Sequence, residues 1–287
     1  MTYPEFLDWL PNPSRRPLVM GVLNVTPDSF SDGGRFADAH AAIAHARQML
    51  EDGADLIDIG GESTRPGSPR VEADEQIRRI APVFRGLAGL PVVLSVDTTR
   101  ATVAEAALDL GANLVNDISG GLDDSGMFPL VARRLVPMIL MHMRGQPETM
   151  QQLAVYDDVV VEVIRHLAAL RDAAVAAGIE ASKILLDPGI GFAKRMEHNL
   201  ELLRRLRELT SLGHPLLLGT SRKGFVGKIT GESEPSRRLF GTAATVGWCI
   251  ANGAAIVRVH DVADMVKVVR MTRAMMETGR LGPRLSC

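Results

Sequence analysis

Cysteine is scarce in this chain: among its 287 residues only Cys249 and Cys287 carry a thiol. Cys249 falls in an apolar helical segment, and Cys287 is the last residue printed. Two such positions cannot form a disulfide scaffold, which excludes the small disulfide-rich secreted domains. The usage fits a protein of a reducing compartment.

An excess of one charge is also missing, since 32 basic and 34 acidic residues leave a formal net charge of −2. A general nucleic-acid binder needs a strong positive excess, so that class is excluded. No apolar run approaches the roughly 20 residues of a membrane helix. Glu5, Asp8 and several prolines interrupt the first 17 residues, so they do not resemble a signal peptide. We expect a cytoplasmic protein that binds neither nucleic acid nor membrane.

Two common binding motifs are absent. No GxGxxG follows the first apolar run, which argues against a dinucleotide-binding open sheet. No His and Cys cluster has the spacing of a zinc site, which argues against a tightly held transition metal.

The chain does contain eight short apolar runs, each followed by an amphipathic segment that often ends at glycine. The runs predict strands at residues 18–25, 55–61, 91–98, 113–118, 137–143, 184–190, 216–218 and 254–260. The intervening segments predict helices at residues 39–50, 71–88, 100–110, 125–134, 155–177, 196–211, 236–252 and 262–278. This alternation is typical of right-handed βαβ crossovers and a parallel sheet.

Eight such units in this length predict an α/β fold, a single (β/α)8 TIM barrel. We place an N-terminal extension at residues 1–17, the barrel at 18–279 and a tail at 280–287. The loops after the first two strands are long and mix glycine with polar residues. Both carry an aromatic residue or a proline, Phe30 and Pro66, and we interpret them as lids over a substrate.

Every predicted strand ends in polar residues. In chain order these are Asn24, Asp58, Asp97, Asn116 with Asp117, His142, Asp187, Ser221 with Lys223, and Arg258 with His260. The carboxyl ends of barrel strands share one rim, where active sites lie. Because buried carboxylates must be paired or hydrogen-bonded, we expect several of these residues to bind a polar ligand. For His142 we favour a purely structural role.

The polar residues that follow the seventh strand could lie either on the solvent-exposed surface or in the binding site. It ends at Gly219 and Thr220 and is followed at once by Ser221, Arg222 and Lys223. Alone, this stretch is typical of a solvated turn. The seven other polar strand ends favour a place at the site for Ser221 and Lys223, which share one face. Arg222 points the other way, and a structural salt bridge or a contact to a lid loop are both open.

The residue types indicate the ligand. Asp97, Asn116 and Asp187 in an apolar barrel mouth suit a flat heterocycle with N–H donors. Arg258 and His260 are two residues apart on one strand, so they face the same side and can hold an anion. A loosely bound Mg²⁺ bridged by a substrate phosphate fits this set, because Mg²⁺ keeps waters and takes few protein ligands.

Eight motifs together resemble the dihydropteroate synthase family of folate biosynthesis. In order they are MGVLNVTPDSFSDGG, DIGGESTRPGS, SVDT, VNDISGG, MHMRGQPETMQ, LLDPGIGF, GTSRKGF and RVHDV, and the similarity runs from about Leu18 to Arg270. The resemblance implies condensation of 6-hydroxymethyl-7,8-dihydropterin diphosphate with 4-aminobenzoate, with release of pyrophosphate. It also implies a homodimer.

The resemblance assigns roles to individual residues. Those that would hold the pterin are Asp97, Asn116, Asp187, Lys223 and Gly219, with apolar walls from Ile118, Met141 and Phe192. Those near the diphosphate are Thr64, Arg65, Arg258 and His260, with Asn24 as the Mg²⁺ ligand. Those at the aminobenzoate are Phe30, Thr64, Pro66, Ser221 and Lys223. The catalytic set would be Lys223, Asp97, Asp187 and Asp32, with Asp32 assisting the incoming amine.

The implied reaction is dissociative. Cations at the diphosphate, expected from Arg258 and His260, favour its departure, and nearby carboxylates stabilise positive charge on the pterin methylene. Two other functions stay open. One is a pterin-binding barrel that transfers a methyl group from methyltetrahydrofolate to a corrinoid protein, although TPDSFSDGG, ESTRPGS and SRKG would not be expected there. The other is a catalytically silent paralogue that binds pterin or a partner.

Overall fold

A computed structural model of the chain describes residues 1–26, 34–63, 68, 70–147 and 149–277. Eight parallel strands form a closed barrel in sequence order, with β8 paired to β1. They are β1 (Leu18–Asn24), β2 (Leu56–Gly60), β3 (Val93–Asp97), β4 (Leu114–Asp117), β5 (Met138–Met141), β6 (Ile184–Asp187), β7 (Leu216–Leu218) and β8 (Ala254–Val259). The predicted (β/α)8 barrel is confirmed.

The helices surround the barrel. In chain order they are α1 (Tyr3–Trp9), α2 (Gly34–Glu51), α3 (Ala73–Leu87), α4 (Ala101–Asp109), α5 (Met127–Arg134), α6 (Val159–Ala176), α7 (Met196–Arg204), α8 (Leu206–Leu209), α9 (Gly224–Thr230), α10 (Leu239–Ala251) and α11 (Val262–Met276). Short 3-10 turns occur at Met150–Leu153, Ala181–Lys183, Thr210–Leu212 and Pro235–Arg237. Within the described ranges, no helix is both long enough and apolar enough to cross a bilayer.

The helix predicted over residues 196–211 was wrong in one respect, because it is interrupted at Arg205 between α7 and α8. The guanidinium of Arg205 bonds to both oxygens of Asp158, at 3.1 and 2.9 Å. Asp158 in turn caps the start of α6 by accepting from the backbone N–H groups of Val160 and Val161. The short helices α1 and α9 were not predicted.

Side chains alternate along each strand, and this alternation creates a boundary inside the barrel. The lower interior is an apolar layer from all eight strands, formed by Leu18, Met20, Leu56, Val93, Leu114, Ile139, Leu185, Leu217 and Ile256. Two residues further along their strands stand Asp58, Asn116, Met141, Asp187, Gly219 and Arg258. The same register that fills the bottom of the barrel therefore raises polar groups to its mouth.

Helix α1 closes the lower end of the barrel. Phe6, Trp9 and Leu10 are buried in the same cluster as the apolar layer. The rings of Phe6 and Trp9 stack with centroids 5.6 Å apart, and the indole N–H of Trp9 donates to the carbonyl of Arg16 at 2.8 Å. The amphipathic EFLDWL segment thus forms part of the core, and we had assigned it no role from the sequence.

Candidate functional site

Four polar residues from four strands form one network at the barrel mouth. Arg258 of β8 donates through Nε to Asp58 Oδ2 at 2.7 Å and through Nη2 to Asp97 Oδ2 at 2.7 Å. The amide of Asn116 donates to the same Asp58 oxygen at 2.9 Å. The predicted residues Asp97, Asn116 and Arg258 are therefore brought together. Asp58 joins them from β2 as the shared acceptor, a role that sequence reasoning did not give it.

The network leaves acceptors unused. Oδ1 of Asp97 and Oδ1 of Asp58 are buried and make no hydrogen bond to any described residue. Burial and the nearby Asp58 carboxylate raise the pKa of Asp97 to about 7, although Arg258 opposes the shift. A buried acceptor without a partner is costly. Asp97 is therefore suited to accept an N–H group from a ligand.

Two more predicted residues reach the mouth, Asp187 at the end of β6 and Lys223 between β7 and α9. Asp187 accepts the backbone N–H of Gly189 at 2.7 Å, and burial raises its pKa to about 6. Lys223 Nζ lies 4.1 Å from the centre of the Phe192 ring. Burial, together with the charge of Arg258, lowers the pKa of Lys223 to about 8. The pKa of the Lys223 ammonium and those of the Asp97 and Asp187 carboxylates therefore all lie close to neutral pH.

The predicted apolar walls also meet. Ile118 and Met141 belong to one buried cluster with Met143, Met150 and Ala193, and Phe192 packs against it. Sequence reasoning missed Met143 and Met150. The alternation in Met141-His142-Met143 was a signal for Met143, which also lines a cleft with Asp97.

Ser221 and His260 are directly linked. The Ser221 hydroxyl lies 3.0 Å from His260 Nδ1 and accepts the backbone N–H of His260 at 3.2 Å. Burial and the charge of Arg258 lower the pKa of His260 to about 3. At this pKa the imidazole is neutral at pH 7 and offers hydrogen bonds, whereas the expected positive charge of His260 beside a diphosphate stays a prediction.

Arg222 points away from the mouth. Its guanidinium bonds to both oxygens of Asp261, at 3.1 and 2.5 Å. Its φ of +59° lies in the left-handed region, and its backbone N–H is fixed by Thr242 Oγ1 at 3.1 Å. Of the two roles left open, the structural salt bridge is present, whereas a contact to a lid loop would involve residues outside the described ranges.

Several predicted residues cannot be placed. Those that lie outside the described residues are Phe30, Asp32, Thr64, Arg65 and Pro66. Asn24 ends β1, opposite Gly60 of β2.

His142, for which we favoured a structural role, is buried and lies 2.8 Å from Lys194 Nζ. The buried Lys194 was missed, because a lysine next to a glycine-rich loop is usually exposed.

Similarity to known proteins identifies the family of this chain. Residues 20–260 match the family described as pterin-binding enzymes. A dihydropteroate synthase of Synechocystis is 48% identical over 269 residues, which are 93% of this chain and 92% of the relative. The chain belongs to the dihydropteroate synthase family of pterin-binding enzymes.

Solved structures of this family have the same fold. The Xanthomonas albilineans dihydropteroate synthase with 4-aminobenzoic acid superposes with a TM-score of 0.86 at 44% identity, covering 91% of this chain and 93% of that one. The same enzyme in complex with 7,8-dihydropteroate gives a TM-score of 0.83 at 42% identity, covering 91% and 94%. The resemblance identified from the sequence motifs is confirmed.

Proposed function

We propose that the barrel mouth condenses 6-hydroxymethyl-7,8-dihydropterin diphosphate with 4-aminobenzoate to give 7,8-dihydropteroate and pyrophosphate. One observation carries the proposal: the β-strands bring Asp97, Asn116 and Arg258 into one hydrogen-bonded network in a barrel of the dihydropteroate synthase family. The chain is accordingly a transferase that moves a pterin-methyl group to an aryl amine.

The pterin side of the site rests on buried acceptors. Asp97 Oδ1 needs a donor, and the ring N–H and amino groups of a pterin supply such donors. Asp187 and Asn116 add a second carboxylate and an amide. Ile118, Met141 and Phe192 provide the apolar surface for the ring faces, with Gly219 leaving room above β7. Lys223 donates to the pterin from the Phe192 side.

The diphosphate side uses different residues. Arg258 is expected to bind it with Thr64 and Arg65, and its charge favours the departure of pyrophosphate. When the Ser221 hydroxyl donates to Nδ1 of His260, the proton of the neutral ring is on Nε2. His260 then donates that N–H to a phosphate oxygen. A neutral donor suits a leaving group that must also be released.

A magnesium ion fits the end of β1. The Asn24 side chain makes no hydrogen bond to the described part of the chain, so its oxygen is available. Among the described residues no group of three or more His, Cys, Asp or Glu is arranged to hold a metal. A single amide oxygen matches Mg²⁺, which takes its other ligands from phosphate and water. The ion would neutralise charge on the departing pyrophosphate.

The reaction then follows from where charge develops. The methylene C–O bond breaks with its electron pair going to pyrophosphate, and positive charge spreads into the pterin beside Asp97 and Asp187. The aminobenzoate nitrogen, held by Ser221 and the loop residues Phe30, Thr64 and Pro66, forms the new C–N bond and loses a proton. Asp32 assists this amine. No covalent enzyme intermediate forms, so mass spectrometry during turnover should detect only unmodified chain.

A homodimer is a further part of the proposal. Large apolar side chains are exposed on α10 and α11, namely Phe240, Trp248, Met271 and Met275. Phe240 is 86% exposed, and an apolar residue of that size is stabilised by a partner surface. A cytoplasmic location stays a prediction.

Measured turnover of the two named substrates with Mg²⁺ tests the function. Purified chain should release pyrophosphate and form 7,8-dihydropteroate in equal amounts. Lys223→Ala should lose at least about 100-fold in kcat/KM while its melting temperature stays close to that of wild type. Methyl transfer from methyltetrahydrofolate without pyrophosphate release would favour the methyltransferase alternative. Pterin binding without any turnover would favour the silent paralogue.

A further inference from the structure

Lys194 is a buried lysine to which the reaction gives no role. Its exposure is only 3%, although it follows the glycine-rich loop of residues 188–193 between β6 and α7. Nζ donates to the carbonyl of Gly189 at 3.0 Å and to that of Phe192 at 2.9 Å. The third neighbour of Nζ is Nδ1 of His142, at 2.8 Å. The first two contacts lie within the loop, and the third joins it to His142, the residue that follows β5.

This loop has an uncommon backbone. Gly189, Gly191 and Ala193 have φ values of +66°, +85° and +48°, so alternate residues are left-handed. The left-handed conformation is unfavourable for Ala193 because alanine has a Cβ. At Gly189 a side chain would collide with the carbonyl oxygen of His142. Such a path persists only where surrounding contacts hold it.

Other contacts hold the far side of the loop. Asn199 Oδ1 accepts the backbone N–H of Gly191 at 2.7 Å, and the Tyr156 hydroxyl donates to the carbonyl of Ala193 at 2.9 Å. Only Lys194, among these three side chains, bonds to the carbonyl of Phe192 itself. Its position therefore bears directly on where the Phe192 ring lies.

Burying a lysine is unfavourable without compensation. Burial lowers the pKa of Lys194 well below its ordinary value, while the Asp187 carboxylate opposes that shift. A methionine or leucine would fill the same space without this cost. Retaining an amine here is explained by the three acceptors that it joins, because no apolar side chain can hold two carbonyls and an imidazole together.

The loop in turn supports Lys223. The Phe192 ring lies under the Lys223 ammonium, with Nζ 4.1 Å from its centre. The Cα of Gly191 allows Lys223 to pass closely, since a Cβ there would come within 3.1 Å of Lys223 Cδ. A shift of the loop would move both the Phe192 ring and the Gly191 backbone, which together define the position of the Lys223 side chain.

We propose that Lys194 is a positioning residue for the pterin side of the site, which fixes the 188–193 loop so that Phe192 and Lys223 stand in their binding geometry. This inference rests on the proposed function. It bears mainly on the pterin, because the aminobenzoate residue Ser221 and its partner His260 belong to the β7 and β8 ends, and their described hydrogen bonds join them to each other and not to Lys194.

The test is Lys194→Met in the full-length chain, with KM measured separately for the two substrates. The KM for the pterin diphosphate should rise about tenfold or more, as expected when the hydrogen bonds that fix the loop are lost. The KM for 4-aminobenzoate should rise by a clearly smaller factor, because Lys223 is the only one of its two described residues, Ser221 and Lys223, that contacts this loop. Hydrogen exchange of the backbone amides of residues 189–193, which needs no turnover, should become faster. Lys183→Met is the matched control, because Lys183 lies before β6 at the opposite end and pairs only with Glu180 at 2.8 Å.

The outcomes separate the possibilities. If both KM values are unchanged, or rise by the same factor with a fall in melting temperature, Lys194 serves stability alone and the inference is overturned. If Lys194→Met does not fold, Lys194→Gln, which keeps an N–H donor, decides by the same KM comparison. If the wild-type chain forms no dihydropteroate, the proposed function fails, and the exchange rates still report whether Lys194 holds the loop.

Discussion

Nη2 of Arg258 lies 2.7 Å from Oδ2 of Asp97, so the guanidinium assigned to the diphosphate is bonded to the carboxylate assigned to the pterin. Its Nε holds Asp58 at the same distance. In the proposed function, the two halves of one substrate would therefore be bound by groups that already contact each other. Departure of the diphosphate would then be coupled to the charge of the pterin carboxylate.

Removing this arginine should destabilise the barrel. Arg258→Met leaves the buried carboxylates of Asp58 and Asp97 without their cation, which costs about 3 kcal/mol in the free energy of unfolding. Urea denaturation at pH 7.5 measures this loss in the free energy of unfolding. The double variant Asp58→Asn with Arg258→Met should recover part of the loss, because one buried charge is gone. Equal stability of the two variants would contradict the ion-pair explanation.

Activity should depend on pH in a bell-shaped manner. The pKa of Asp187 is raised to about 6, that of Asp97 to about 7, and that of Lys223 is lowered to about 8. We expect kcat/KM for the pterin diphosphate to rise as the carboxylates ionise and to fall above about pH 8 as Lys223 loses its proton. In Lys223→Arg the basic limb should move to higher pH, since a guanidinium keeps its charge. An unmoved basic limb would assign it to another group.

Asp187 should make the protein less stable as pH rises. Its folded pKa of about 6 exceeds the ordinary 3.8, so the contribution to stability is complete below pH 3.8 and is lost as pH rises through 6. The difference corresponds to about 3 kcal/mol. Asp187→Asn, which can still accept from Gly189, should therefore unfold at higher urea than wild type at pH 8. Most of that gain should disappear at pH 4.5.

The same variant should lose activity, which separates function from stability at this position. Asp172→Asn, on an exposed part of α6, is the control and should show no gain at pH 8. A wild-type stability that does not decrease between pH 4.5 and 8 relative to Asp187→Asn would show that the carboxylate is not penalised in the fold.

The exposed apolar face of α10 and α11 should control association. Phe240→Glu combined with Met271→Glu is expected to shift the chain from dimer to monomer in sedimentation velocity, because charge on a buried interface is unfavourable. Val175→Glu, on α6 and 43% exposed in wild type, is the matched control and should leave the mass unchanged. A wild-type chain that is monomeric at micromolar concentration would end the dimer proposal.

Much of the site was predictable because strands have a period of two. Leu114 and Asn116, or Leu185 and Asp187, show in one short segment both the apolar floor and the polar mouth. What could not be predicted depends on distant pairs. Arg258 and Asp58 are 200 residues apart, and Lys194 reaches His142 from 52 residues away. Neither pair leaves a local signal, because the sequence can place a residue at a strand end but does not show which distant residue it bonds.

The neutral state of His260 was also beyond the sequence. A histidine after a strand, two residues from an arginine, is expected to share in binding an anion. Its pKa depends on burial and on the direction of neighbouring charges, which only packing establishes. The break at Arg205 has a similar origin, since the Asp158 that binds it belongs to another helix.

The closure of the barrel by α1 has a consequence for how the chain is made. Phe6 and Trp9 pack in one cluster with Leu217 and Ile256. The surface on which α1 packs is therefore incomplete until β7 and β8 have left the ribosome. For most of synthesis its apolar side chains are therefore exposed, as is the floor of the unfinished barrel. The earliest helix in the sequence is therefore among the last to dock, and nascent chains keep an aggregation-prone apolar surface until translation is nearly finished.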